Sequence, residues 1–274
     1  MNLPENIIKN LRNKTPLVHC ITNYVTVNDC ANSLLSIGGS PIMADDEAEV
    51  EEIISICDAL VINIGTLNQR TIKSMLKAGK KANELGKKVV LDPVGVGASS
   101  LRTNTAMELL ANIKFNAVRG NISEIKTLAI GAGATHGVDA SAADAINKNN
   151  LVNTVELAQS LAKKTGAVIA ITGAIDVVAN EEKSRQIYNG HPMMSKITGT
   201  GCMCSAILGA FLAASEDGFA ATTAAIASMG LSGEKAWQKV EAEGLGTGSL
   251  RTYLINELSL MTDEKLLAYA KIKA

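Results

Sequence analysis

Aromatic residues are scarce in this chain of 274 residues: Phe, Tyr and Trp together make up 3%. A core must therefore be built from Ile, Val, Leu, Ala and Met, and hydrophobic residues at 47% supply enough of them for a large one. Few aromatics also leave little surface on which unpaired bases could stack. An excess of one charge is missing too, since 26 Lys and Arg stand against 27 Asp and Glu. The densest basic segment, Lys73 to Lys88, interrupts a helical pattern and reads as a solvated helix face rather than a nucleic-acid patch. No apolar run reaches the ~18 residues of a membrane span; "CMCSAILGAFLAA" stops at Ser215-Glu216-Asp217. The opening "MNLPENIIKNLRNKTP" lacks the apolar centre of a signal peptide. Zinc-binding spacing is absent as well: Cys20, Cys30, Cys57, Cys202 and Cys204 contain no C-x-x-C pair. These absences predict a cytoplasmic protein with reduced thiols and neither a membrane nor a nucleic-acid partner.

What is present is alternation. Short β-rich runs recur at 16–22, 40–44, 59–65, 87–94, 116–121 and 166–173. Most are continuously apolar, as strands buried on both faces are. Helical spacing separates them: Ile72, Met75, Leu76, Gly79 and Ala82 share one face, as do Leu151, Val155, Ala158, Leu161 and Ala162. Strand–helix alternation predicts an α/β fold with a mostly parallel central sheet flanked by helices. After "AITG" the segments "DVVAN" and "RQIYNG" read as a hairpin, and from Gly201 the pattern is helical to the end. With no linker, low-complexity tract or repeat, residues 1–274 read as one domain.

Polar and glycine residues gather where the strands end: Thr22-Asn23, Gly65, Asp92-Pro93, Arg119-Gly120-Asn121 and Thr172-Gly173. Parallel sheets bind ligands at that edge, although any strand must leave through a polar turn. Asp92 closes a wholly apolar strand, so its carboxylate requires a partner or a metal. In "RGNISE", Asn121 and Glu124 form a capping-box pattern. The same stretch could put Arg119 on a phosphate and Glu124, with Asp92, beside Mg2+; a capped helix can do both.

Phosphate-loop signatures are mostly incomplete. There is no G-x-x-x-x-G-K-[ST], and "GVGASS" at 95–100 lacks the third glycine of a dinucleotide loop. "GAGATHG" has the wrong spacing, and its His136 has no assigned role, while His19 and His191 read as structural. "TGTGC" at 198–202 opens a helix, so it is either an anion-holding loop or a turn needed for tight packing.

Seven ordered stretches carry a resemblance: "PLVHCITNYVT", "GGSPIMA", "LVINIGTL", "LDPVGVGA", "RGNISEI", "AITGAIDVV" and "TGTGC". Over nearly the whole chain they resemble the hydroxyethylthiazole kinase branch of the ribokinase-like kinases, in which cysteine replaces the loop aspartate of the wider group. The resemblance implies ATP- and Mg2+-dependent phosphorylation of the hydroxyl of 4-methyl-5-(2-hydroxyethyl)thiazole by a homotrimer with sites near subunit interfaces. It implies thiazole contacts at Met43, Gly199 and Asn23, and ATP contacts at Arg119 and Thr172. Glu124 and Asp92 take the metal side, and Cys202 the position of the base. The loop Gly199, Thr200, Gly201 and Cys202 becomes the anion hole. A helix N-terminus lowers a thiol below its usual ~8.5 and bound ATP raises it again, so a thiolate at Cys202 is expected to be only partly available. Kinases of the same architecture acting on a hydroxymethylpyrimidine or a sugar, and a non-catalytic sensor, stand as alternatives.

Overall fold

The computed structural model describes residues 3–131 and 150–274; "GAGATHG" with His136 falls outside them, apart from its first residue, Gly131. Strands β1 (Leu17–Ile21), β2 (Ser40–Ile42), β3 (Ala59–Asn63), β4 (Lys88–Asp92), β5 (Ala117–Asn121) and β6 (Val168–Thr172) correspond to the six apolar runs. They are joined in the order β2-β1-β3-β4-β5-β6, every pairing parallel. The predicted hairpin is β7 (Asp176–Ala179) and β8 (Ser184–Ile187), and it extends the same sheet antiparallel to β6. The all-helical ending is corrected. Helices α8 (Thr200–Ala213), α9 (Gly218–Ala242), α10 (Thr247–Ser259) and α11 (Asp263–Tyr269) are followed by β9 (Ile272–Lys273), which pairs antiparallel with β8. Two residues give no period to read, and only the pairing with β8 makes them a strand.

The alternation of side chains along each strand divides the core between the two faces of the sheet. Val18, Ala59, Val61, Val90, Ala117 and Ala170 pack on one face with α1 (Ile7–Lys14), α2 (Val27–Ile37) and α8 to α10. Leu60, Ile62, Val89, Leu91, Val118 and Ile169 pack on the other. That face is covered by α3 (Val50–Ile56), α4 (Gln69–Glu84), α5 (Ser100–Asn112), α6 (Ile122–Ile130) and α7 (Leu151–Thr165). Each fully buried aliphatic side chain contributes roughly 1.5–3 kcal/mol, so a core of this size needs no aromatic centre. Residues 219 to 233 of α9 are buried on every side, which the Ala, Gly, Ser and Thr spread through them allow.

One consequence positions the site. Gly209 of α8 lies against Val18 and Val61, near the start of β1 and in the middle of β3. Seven residues earlier, Cys202 meets Asn23 and Asn63, at the carboxyl ends of those strands. Helix α8 therefore runs under the sheet with its N-terminus at the edge where parallel sheets bind ligands. Among the described residues no helix is long and apolar enough to cross a membrane.

Candidate active site

Helix α8 starts on Gly199, whose φ of 86° is left-handed and whose Cα faces Thr26; a Cβ there would come within 2.6 Å of Thr26 Cγ2. The first-turn N–H groups of Thr200, Gly201 and Cys202 have no acceptor within the helix, whose start lies at the strand ends. Gly201 is glycine for a different reason: a Cβ would collide with the Arg119 guanidinium.

Arg119 lies in β5 beside β6 and donates from Nη2 to Thr172 Oγ1. Its Nη1 stands 3.8 Å from Asp92 Oδ1, and its buried Nε has no partner. Burial works against the guanidinium's charge, but Asp92, with Cys204 and Glu124, holds its pKa above the ordinary value. Together with Thr172, Asp176, His191, Gly201 and Cys204, Arg119 lines a cavity of about 760 Å³. The cavity thus joins two predicted nucleotide contacts to the start of α8. A second cavity, of about 560 Å³, is lined by residues of α4 to α7 such as Met107 and Leu161, and contains none of the predicted site residues.

On the other side of the same helical turn lies a hydrogen-bonded network. Asn63 and Asp92 are register partners in β3 and β4, and Asn63 Nδ2 donates to Asp92 Oδ2 at 2.8 Å. Asn23 Nδ2 donates to Asn63 Oδ1 at 3.0 Å. Both amides also donate to Cys202 Sγ, at 3.2 Å from Asn23 and 3.3 Å from Asn63. The sulfur is thus built in as an acceptor. The expected lowering of its pKa is corrected: burial, and then the Asp92 charge, raise it, and nearby hydrogen bonds do not cancel them. Burial and the Asp92 carboxylate thus favour the protonated thiol at this one sulfur.

Asp92 is fully buried, and its Oδ1 has no hydrogen-bond partner. Burial pushes its pKa up to about 6, against the pull of Arg119. Asn121 and Glu124 do form the capping box: Glu124 N–H donates to Asn121 Oδ1 at 2.9 Å and Asn121 N–H to Glu124 Oε2 at 2.8 Å. Glu124 Oε1 accepts from Gly95 N–H at 2.8 Å, which ties it to the loop after β4.

Asn23, Asp92, Arg119, Thr172 and the 199–202 turn are thus brought together, with Glu124 attached through Gly95. Met43 stands just past β2, partly buried against the core, and is not part of the hydrogen-bonded network or of the larger cavity's lining. Two residues, Asn63 and Asp176, carry no functional mark in the sequence, and a third, His191, does more than its structural reading says. Asn63 sits inside an apolar run, and only its register with Asp92 reveals it. Asp176 opens β7, accepts from Gly173 N–H at 2.8 Å, and is pushed up to about 7 by burial. His191, read as structural, accepts from Met193 N–H to cap the 3-10 helix Pro192–Lys196, stacks on Trp237 and lines the cavity.

The model of the hydroxyethylthiazole kinase family matches residues 8–264. The chain belongs to that family. A hydroxyethylthiazole kinase of Clostridium acetobutylicum is 56% identical over 260 residues, covering 94% of this chain and 95% of that one. The solved hydroxyethylthiazole kinase of Pyrococcus horikoshii is 38% identical, with a TM-score of 0.85 and coverage of 98% and 97%. A ribokinase-like superfamily protein of Enterococcus faecalis shares the fold at 13% identity and a TM-score of 0.59, covering 92% and 89%. The hydroxyethylthiazole kinase family thus accounts for the α/β sheet, and its seven ordered stretches lie along the edge just described.

Proposed function

We propose that the chain, as a single kinase domain, transfers the terminal phosphoryl group of ATP to the hydroxyl of 4-methyl-5-(2-hydroxyethyl)thiazole. The observation that carries this is the two-sided first turn of α8. One side faces the Arg119–Thr172 cavity and the other faces Cys202 with its two amide donors. ATP lies on the first side, with its phosphates against Arg119 and the N–H groups of Thr200, Gly201 and Cys202. The alcohol lies on the second, against Cys202, Asn23, Gly199 and Met43, so that its oxygen is in line with the transferring group. That turn then holds the charge that develops on the phosphoryl group in the transition state.

Two carboxylates suit Mg2+, which takes one or two from protein and the rest from phosphate and water. Asp92 Oδ1 is a buried acceptor without a hydrogen-bond partner, 3.8 Å from Arg119 Nη1. Each Glu124 oxygen accepts a single N–H. Among the described residues no cluster of three or more His, Cys, Asp and Glu could hold a metal alone. Asp92 and Glu124 would hold Mg2+ on the phosphate side, where it would neutralise charge on the nucleotide. Cys202, in the thiolate form that is its minor state, takes the proton of the alcohol and becomes the thiol. Transfer is largely dissociative, so the nucleophile needs little deprotonation before the transition state, and a thiol of raised pKa is adequate. The acceptor side lies outside the cavity of a single chain, beside the exposed Tyr24 and Val25. An exposed apolar pair there supports a site completed at an interface between copies of this chain, which we take to form a homotrimer working in the cytoplasm with its thiols free.

One assay tests the reading: ATP turnover with the hydroxyethylthiazole, a hydroxymethylpyrimidine and ribose compared side by side. Preferred turnover of the thiazole is expected. Preference for the pyrimidine alcohol would move the assignment to another kinase of this fold, and turnover of none would favour a sensor.

A further inference from the structure

The near-miss glycine motif "GVGASS" has a use that its spacing does not reveal. It ends two residues before Arg102, in the first turn of α5, where Ser99 caps the helix by accepting from Arg102 N–H. The Arg102 side chain reaches back across the sheet edge. Its Nη1 donates to Ile64 O at 3.0 Å and to Val94 O at 2.6 Å, and its Nη2 donates to Gly65 O at 2.7 Å. One guanidinium thus ties the loop after β3 to the loop after β4.

Each loop leads directly to the site. Gly65, whose carbonyl Arg102 holds, donates its own N–H to Asn63 Oδ1 at 2.9 Å. That bond fixes which way the Asn63 amide faces, and so aims Nδ2 at both Asp92 and Cys202. Val94, the other carbonyl, precedes Gly95, whose N–H donates to Glu124 Oε1 at 2.8 Å. The Arg102 bond to Val94 O and the left-handed φ of 70° at Gly95 hold that N–H toward Glu124. The geometry points to Arg102 as a positioning residue for phosphoryl transfer: it orients the Asn63 amide and the Glu124 carboxylate together, without touching either. The inference rests on the reading of Asp92 and Glu124 as the metal-side carboxylates, and on Cys202 as the acceptor-side group.

Lysine is the informative replacement, because it keeps the charge but lacks the planar fork that spans carbonyls of two loops. Arg102→Lys, with Arg102→Gln as a second variant, is compared with wild type by hydrogen exchange in the absence of any ligand. Peptides covering 63–67 and 93–98 are expected to exchange roughly tenfold faster, with those from β1 and β6 unchanged. Steady-state kinetics should give kcat about tenfold lower, with the KM for the thiazole within about threefold. The half-saturating Mg2+ concentration should rise by a factor of roughly five. Unchanged exchange at both loops would overturn the proposal. So would faster exchange spread evenly over the sheet with kcat per folded molecule retained, which is what a purely structural residue gives. Asp92→Asn separates the two layers of inference. If its half-saturating Mg2+ matches wild type, the metal reading fails, and the exchange and kcat results alone decide the role of Arg102.

Discussion

The two sides of the α8 first turn are built from different materials. On the cavity side a buried cation, Arg119, is held by a hydroxyl and a carboxylate and keeps one nitrogen unpartnered. On the other side neutral amides, Asn23 and Asn63, converge on a neutral thiol. The difference follows from what each must meet. A triphosphate brings charge and rewards a fixed cation. An alcohol brings none and needs only an acceptor and a fixed direction. Asp92 is the shared element, since it accepts from Asn63 on one side and faces Arg119 on the other.

Breaking the charged side should have the largest effect. Arg119→Ala is expected to raise the KM for ATP by roughly 10- to 100-fold, the 1.5–3 kcal/mol of a charge-assisted hydrogen bond. The thiazole KM should stay near wild type in two-substrate kinetics. Gly201→Ala should follow in size, because its new methyl displaces the same guanidinium without removing it. A loss of about tenfold in kcat/KM for ATP in a folded variant is expected. Equal losses for both substrates in either variant would mean that the turn does not separate them.

The neutral side should tolerate more. Cys202→Asp should keep or raise kcat, because the amides of Asn23 and Asn63 can donate to a carboxylate as well as to sulfur. Since burial and Asp92 raise the thiol, wild-type kcat should climb with pH above neutrality while the variant stays flat. Loss of activity in a folded Cys202→Asp enzyme would count against the base role.

Asp176 sharpens the comparison through stability. Its folded pKa of about 7 lies above the unfolded value, so the folded state binds the extra proton between the two. Stability contributed by this group is present at low pH and falls as pH rises from ~4 to ~7, by at most about 4 kcal/mol. Asp176→Asn, which can still accept from Gly173, should flatten that fall in denaturant titrations at pH 5 and pH 8. A variant with the same pH dependence as wild type would show that Asp176 carries no such penalty.

How much of this was legible without coordinates differs between the two sides. Thr172, Asp92 and the glycine turn stand where an apolar run ends, and Arg119 breaks one in mid-strand. Asn63 and Arg102 carry no such mark: Asn63 ends β3 but Ile64 carries the apolar run past it, and Arg102 is the third residue of a helix whose reach only the fold reveals. The same holds for β9, which exists because β8 offers it an edge. Period and punctuation expose what each segment does by itself, whereas register and long side chains decide which segments meet.

The division of the α8 turn into a nucleotide side and an alcohol side is tested most directly by ATP binding without the alcohol. Calorimetry on Arg119→Ala and Cys202→Ser would measure it. The account predicts ATP affinity lower by roughly tenfold or more in the first and unchanged in the second. An equal loss in Cys202→Ser would contradict it.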